Sequence, residues 1–377
     1  MAVRQMRMMG SITTMTTITT AVNTTMTMMT TSQATRQEQG SWEMDRHSFR
    51  AMNTDVQLTM ERTLLEASKR TAMEFFQYFE QLLSRFRPNS ELSRLNACQQ
   101  PAFAAGEDLF AAVEASLWAA QQTAGIYDPT ILAYLEEAGY DRTFEAVDER
   151  RPLGEATEVY LTAPMQAGEQ VLSGTDYRHV GLDPFTHMIV RPAGLRIDLG
   201  GMGKGWTVDR TADVLCEKGA FLLNAGGDLY AYGTPGTERG WEVHLAHPKQ
   251  PDLNFASLTV DHQAVATSTT ARRRWLKDGG LRHHLIDPRT GCPAISDALS
   301  VSVVAGRVFT AEIYAKTALI LGIEEGCAFL ESLEDVEGAF YSAGGEVRLT
   351  SGMDRYLYRV DPCGYKEDKQ TLSAERK

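Results

Sequence analysis

The sequence lacks a positive net charge, paired cysteines and a long apolar run, and each absence removes a class of protein. The formal net charge is −12, which argues against a nucleic-acid partner because phosphate backbones are bound by basic surfaces. The five cysteines are scattered and none forms a C-x-x-C pair. We therefore expect neither a disulfide framework nor a zinc site, and we expect a reducing compartment.

The first 46 residues differ in composition from the rest of the chain. Residues 8–35 carry no charge but mix threonine with methionine. This mixture is too polar for a membrane helix or for the apolar core of a signal peptide. We predict a disordered tail over 1–46, a folded domain over 47–360 and a flexible tail over 361–377. We also predict a cytoplasmic protein without a stable membrane span; a cryptic export signal, suggested by Arg4 and Arg7, is the alternative.

The centre of the chain is a glycine-rich stretch, D-L-G-G-M-G-K-G, at residues 198–205. A short strand end precedes it, and helical spacing resumes at residues 206–214. Glycines allow the backbone to approach a ligand closely, and a helix N-terminus favours anions. The pattern predicts a phosphate-binding loop with Lys204 as its charge, although a plain glycine-rich turn is the alternative. The spacing matches neither a Walker A loop nor a dinucleotide fingerprint.

Hydrophobic periodicity predicts an α+β protein. Apolar spacing predicts helices over 64–84 and 108–123, with Ser90 capping a short helix between them. Alternation predicts a first strand over 47–60 and further strands near 221–223, 241–246 and 256–260. We expect a single domain in which mixed or antiparallel sheets pack against helices.

Residues 198–205 resemble the D-L-G-G-x-x-K-G signature of the FAD:protein FMN transferases, the ApbE-type flavin transferases. Five further motifs of that family follow the family order. They are F-R-A-M-N-T at 49–54, S-R-F-R-P-N-S-E-L-S-R-L-N at 84–96, G-I-Y-D-P-T at 125–130, N-A-G-G-D at 224–228 and H-L-I-D-P-R-T-G at 284–291. The resemblance covers about residues 48–345. Many family members are anchored through an N-terminal cysteine, and no cysteine precedes Cys98 here.

The resemblance implies an ApbE-like fold and an enzyme that moves the FMN moiety of FAD onto a Ser or Thr hydroxyl of a target protein, releasing AMP. His284 aligns with the family's proposed catalytic histidine, although a lone histidine is often structural. The residues that the resemblance assigns to FAD binding are Met52, Phe86, Ile126, Tyr127, Asp128, Asp198, Lys204 and Leu299, and we add Lys316, which departs from the family pattern. From the residues alone, Met52 could equally be a core methionine and Asp128 could hold its own turn.

The largest departure from the family lies at Glu312 and Lys316. There the family has Asp and Thr, which bind Mg²⁺ together with a backbone carbonyl at the position of Gly201. Glutamate can ligate magnesium, but a lysine ammonium has no lone pair to donate. Lys316 either takes the place of the metal, neutralising the diphosphate and pairing with Glu312, or forms an exposed i,i+4 contact worth a few tenths of a kcal/mol. A magnesium requirement is therefore in doubt.

Two other functions are compatible with these motifs. An FAD pyrophosphatase would use water as the acceptor and yield FMN and AMP. A non-catalytic FAD-binding protein would retain the flavin nucleotide unchanged, and the altered metal pair favours it. A transferase attaches flavin covalently to protein, whereas a pyrophosphatase does not. A binding protein differs from both because it releases no AMP.

Overall fold

The folded chain is built around one antiparallel sheet of eight strands. A computed structural model describes residues 43–148, 176–236, 239–277 and 280–360. All of them belong to one compact unit. The predicted tail at 361–377 and nearly all of the tail at 1–46 lie outside the described residues. Within these four ranges, every helix is too short or too polar to cross a lipid bilayer.

The described strands, in chain order, are β1 (Met44–Ala51), β2 (Thr54–Glu61), β3 (Ala102–Ala104), β4 (Gly181–Asp183), β5 (Met188–Val190), β6 (Phe221–Ala225), β7 (Asp228–Tyr232), β8 (Trp241–Ala246), β9 (Asn254–Val260), β10 (Gln263–Thr269), β11 (Arg274–Lys277), β12 (Gly280–His283), β13 (Ile286–Asp287), β14 (Cys292–Pro293), β15 (Ala298–Ala305), β16 (Glu337–Ser342), β17 (Val347–Leu349) and β18 (Leu357–Val360). The described helices are α1 (Arg62–Leu83), α2 (Glu91–Ala97), α3 (Glu107–Gln122), α4 (Leu132–Glu137), α5 (Phe144–Asp148), α6 (Gly203–Leu215), α7 (Val308–Leu321) and α8 (Ile323–Glu331).

The main sheet has the order β1-β2-β6-β7-β10-β15-β16-β17. Strands β8, β9 and β18 form a second sheet, and β3, β4 and β5 form a third. Strand β15 is buried along its whole length. Its Val303 belongs to the core cluster that contains the helices, whereas Val304 belongs to the cluster that contains β8 and β9. The predicted α+β class with antiparallel sheets packed against helices is confirmed.

The predicted helices and the Ser90 cap are confirmed, but the single strand predicted over 47–60 is wrong. These residues lie in the hairpin of β1 and β2, in which Ala51 pairs with Thr54 across a two-residue turn. Met52 and Asn53 have φ of 50° and 56°, as a type I′ turn requires. Asparagine is one of the residues that tolerate this left-handed conformation, so Asn53 suits the turn.

Helices α6 and α7 hold the glycine-rich stretch in place. The Asp209 carboxylate on α6 accepts hydrogen bonds from the Val308 and Phe309 amides, each 2.9 Å long, and so caps the start of α7. The two helices approach so closely that a Cβ atom added to Gly205 would lie 2.8 Å from the Val308 carbonyl oxygen. This contact places the first turn of α6 against the first turn of α7.

Candidate active site

Lys204, in the first turn of α6, lies between two buried carboxylates. Its Nζ is 2.5 Å from the Asp228 carboxylate at the start of β7 and also contacts Glu312 on α7. Burial alone would lower the pKa of Lys204, but the two carboxylates outweigh burial and raise it. The other Glu312 oxygen accepts the Gly205 amide at 2.8 Å. The structure therefore neutralises the Lys204 charge internally, which the sequence did not predict.

Lys316 lies one helical turn after Glu312 on α7 and bonds to a group other than a carboxylate. Its ammonium donates to the Gly201 carbonyl oxygen. The predicted ion pair between Lys316 and Glu312 is wrong, because Glu312 bonds to Lys204 and to the Gly205 amide instead. An exposed i,i+4 contact is equally wrong, since Glu312 is 4 % exposed. Burial lowers the pKa of Lys316, with the Glu312 carboxylate opposing this effect.

These contacts do not fit a magnesium ion at the position that the family resemblance implies. The Gly201 carbonyl already accepts the Lys316 ammonium, and both Glu312 oxygens accept donors from α6. A cation bound there would lie against an ammonium, which repels it and cannot ligate it. Within the described ranges, no group of three or more His, Cys, Asp or Glu side chains could hold a metal ion.

Asp198, which opens the glycine-rich stretch, forms a buried ion pair with Arg85. The Arg85 Nε is 2.6 Å from the Asp198 carboxylate, and each side chain is 8 % exposed. The second Asp198 oxygen accepts the Gly200 amide at 2.8 Å. The Arg85 guanidinium also lies over the rings of Phe86 and Tyr140, 4.1 Å and 4.9 Å from their centroids. Two family motifs distant in sequence thus meet at this ion pair.

His284 lies near the same cations. Its ring is 6.5 Å from that of Tyr140, and its buried Nδ1 has no hydrogen-bond partner among the described residues. Burial lowers the pKa of His284 well below its usual value, and the charges of Arg273, Lys316 and Lys204 lower it further. Both effects favour the neutral imidazole, and its Nδ1 has no competing partner among the described residues, two properties that suit a general base.

The rest of the histidine motif is structural. The His283 Nδ1 accepts the Leu285 amide at 3.2 Å, and its Nε2 is 3.1 Å from the Ala294 carbonyl oxygen. Burial lowers the pKa of His283 to about 4. Asp287 and Arg289 form a bidentate ion pair within the loop.

Three more of the predicted residues lie in or against two different core clusters. Tyr127 is 4 % exposed and shares a core cluster with Met202, and Met52 packs against that cluster. Leu299 belongs to the other cluster, with strands β8 and β9, and is not brought to the cations by any described contact.

Asp128 holds its own turn. One of its oxygens accepts the Thr130 amide and hydroxyl at 2.7 Å each, and the other accepts the Tyr177 amide at 3.2 Å. Ile126 is half-buried in the same turn. The turn alternative considered for Asp128 therefore describes its contacts in the structure.

The sequence interpretation missed Arg85, Tyr140 and Arg273 as members of this site. Arg85 adjoins Phe86 within a recognised motif, so the motif itself was an available signal. Arg273 has a φ of 53°, an unusual backbone conformation for a bulky residue, and it forms no ion pair within the described residues. The sequence carried no signal for that conformation.

Comparison with known proteins identifies the family. The model of the ApbE family matches residues 52–340. The FAD:protein FMN transferase of Treponema pallidum is 29% identical over 309 residues, covering 77% of this chain and 81% of that protein. The FAD:protein FMN transferase of Escherichia coli K12 is 26% identical over 251 residues, covering 65% and 68%.

Solved structures share the fold. The ApbE protein from Thermotoga maritima superposes with a TM-score of 0.71 at 22% identity, covering 84% of this chain and 100% of that one. The flavin transferase ApbE from Vibrio cholerae gives 0.64 at 21% identity, covering 84% and 99%. With a family match over more than half of its length, this chain belongs to the ApbE family.

Proposed function

We propose that this protein is an FAD:protein FMN transferase. In this reaction the hydroxyl oxygen of an acceptor Ser or Thr attacks the flavin-side phosphorus of FAD. The bond from that phosphorus to the bridging oxygen breaks, AMP leaves, and the hydroxyl proton passes to a base. Membership of the ApbE family and the names of the relatives support the proposal.

The observation that carries the proposal is the state of His284. A base must be unprotonated at working pH and must have a nitrogen that can reach the proton. The lowered pKa of His284 favours the unprotonated form, and among the described residues no protein group occupies its buried Nδ1. In the proposal, the acceptor hydroxyl is brought to this nitrogen when the substrates bind. The nearby positive charges of Lys316 and Arg273 would also stabilise the negative charge that develops on the phosphate oxygens.

The other predicted residues have positioning roles in this proposal. Lys204 and Asp198 hold the glycine-rich stretch through their ion pairs. Phe86, Tyr127, Met52 and Ile126 are proposed to enclose the flavin nucleotide, and Asp128 keeps the turn that carries Tyr127. A contact between Leu299 and the flavin stays a prediction from the family resemblance. Magnesium, which the family resemblance implied through Gly201 and Glu312, is not required in this proposal. A cytoplasmic location stays a prediction that depends on the cysteine pattern.

The test is a transfer assay with purified protein, FAD and candidate acceptor proteins, in the presence and absence of Mg²⁺. Acceptor mass and AMP release are followed together. An acceptor that gains the mass of FMN while AMP appears supports the transferase. AMP and free FMN without a modified acceptor indicate a pyrophosphatase, and retained FAD with no AMP indicates a binding protein.

A matched pair of variants tests the base. His284→Ala is expected to reduce transfer by about 10²–10⁴-fold, the usual contribution of a general base, while FAD binding persists. His262→Asn changes an exposed histidine and should leave the rate unchanged. Full transfer by His284→Ala would remove His284 from the mechanism.

A further inference from the structure

Two side chains meet at Gly201, in the turn that leads into α6. A Cβ atom added to Gly201 would lie 3.0 Å from the Lys316 Nζ and 3.4 Å from a ring carbon of Tyr127. The Lys316 Nζ is itself 5.9 Å from the centroid of the Tyr127 ring. An ammonium and a phenol therefore flank the same backbone position.

The two lysines of the site differ in how their charges are compensated. Lys204 contacts two buried carboxylates, Asp228 and Glu312. Lys316 donates to a neutral carbonyl oxygen and forms no ion pair with any carboxylate in the described part of the chain. Lys316 is therefore the lysine whose charge is available to an anion.

Tyr127 carries the second unused group. Its side chain is 4 % exposed, and its hydroxyl has no hydrogen-bond partner among the described residues. Burial raises the pKa of Tyr127 well above its usual value, and the Asp198 and Glu312 carboxylates raise it further, so that the hydroxyl keeps its proton. A buried hydroxyl without a partner is unfavourable, and an acceptor atom of a ligand would satisfy it.

We propose that Lys316 and the Tyr127 hydroxyl together bind the diphosphate of the flavin nucleotide without a divalent metal ion. The ammonium supplies the charge beside the phosphate oxygens, and the phenol donates a hydrogen bond to one of them. The Gly201 carbonyl holds the ammonium in place. This inference rests on the proposed function, because it takes FAD as the ligand.

The first test measures FAD binding to the unmodified protein by quenching of flavin fluorescence. Affinity in excess EDTA should lie within about twofold of the affinity in millimolar Mg²⁺, because the Gly201 carbonyl and both Glu312 oxygens already accept protein donors. Loss of binding in EDTA, restored by Mg²⁺, would overturn the inference and leave the transferase proposal intact. Absence of FAD binding under both conditions would overturn both.

The second test compares ligands with and without phosphate in the variant Lys316→Met. FAD affinity should fall about tenfold to a hundredfold, as expected for a charge-assisted contact to phosphate, and Mg²⁺ should not restore it. Riboflavin affinity should be unchanged, because riboflavin has no phosphate. Lys249→Met is the matched control, since Lys249 is exposed and also donates to a backbone carbonyl.

Two further variants keep the inference falsifiable if Lys316→Met does not fold. Tyr127→Phe removes the hydroxyl alone and should weaken FAD but not riboflavin. The double variant Lys316→Thr, Glu312→Asp restores oxygen ligands and should make FAD binding depend on Mg²⁺. Unchanged FAD affinity in Tyr127→Phe, together with no metal response in the double variant, would contradict the inference.

Discussion

Replacing Lys204 with methionine removes the positive charge that lies between two buried carboxylates. Asp228 and Glu312 are 3 % and 4 % exposed, so neither can be solvated by water in its place. Methionine has a similar length and keeps the apolar contacts of the lysine stem. The substitution therefore tests charge rather than volume.

The expected loss of stability follows from this geometry. At 2.5 Å from Asp228, and with an effective dielectric constant of about 20, the attraction is about 7 kcal/mol. The ammonium regains hydration on unfolding, which cancels part of that energy. Removal of one partner from a buried pair costs about 3–5 kcal/mol, and we expect a loss in this range.

The loss should depend on pH. Burial already raises the pKa of Asp228, with Lys204 opposing it, so removal of Lys204 raises that pKa further. A carboxyl with a raised folded pKa binds protons in the folded state that the unfolded state has released. Stability then falls as pH rises from about 4 towards the folded pKa. The variant should be least stable, relative to the unmodified protein, at alkaline pH.

Urea unfolding followed by tryptophan fluorescence, at pH 5 and at pH 8, measures both effects. The double variant Lys204→Met, Glu312→Gln should recover about 1–3 kcal/mol of the loss, because one uncompensated charge is removed. A loss below about 1 kcal/mol at pH 8, or an equal loss at both values, would refute the argument that Lys204 stabilises this buried cluster.

Two other substitutions test the helix contact and the base. Gly205→Ala should destabilise the protein by about 1–3 kcal/mol, because its Cβ would meet the backbone of α7. Gly203→Ala is the control, because its Cβ would have open space around it, and it should be neutral or stabilising in thermal unfolding. If both variants changed the stability equally, close helix packing would be excluded as the cause. Arg273→Gln should raise the pKa of His284 and move the acid limb of kcat/KM to higher pH. Arg272→Gln, at an exposed position, should leave that limb in place; an unmoved limb in Arg273→Gln would disprove the electrostatic coupling.

Local interactions were predictable from the sequence because their partners are close along the chain. Periodicity located α1 and α3 within two residues of their observed ends, and Ser90 caps α2 through the Ser93 amide. The prediction of a single strand over 47–60 failed because a backbone conformation, and not the side-chain pattern, creates the turn there. The turn at Met52 and Asn53 interrupted an otherwise regular alternation, which carried no visible break.

The amino-acid sequence by itself determined the family, the α+β class, the order of the motifs and the residue types available for chemistry. The tertiary structure decided which of them become partners. Glu312 pairs with Lys204, 108 residues away, and not with Lys316 on its own helix. The close approach of α6 and α7 at Gly205 brings that lysine within reach, and helical spacing alone cannot reveal a contact between two helices. The same pairing leaves Lys316 without a carboxylate partner in the part of the chain that the structure describes, and we propose that its charge is available for an anion.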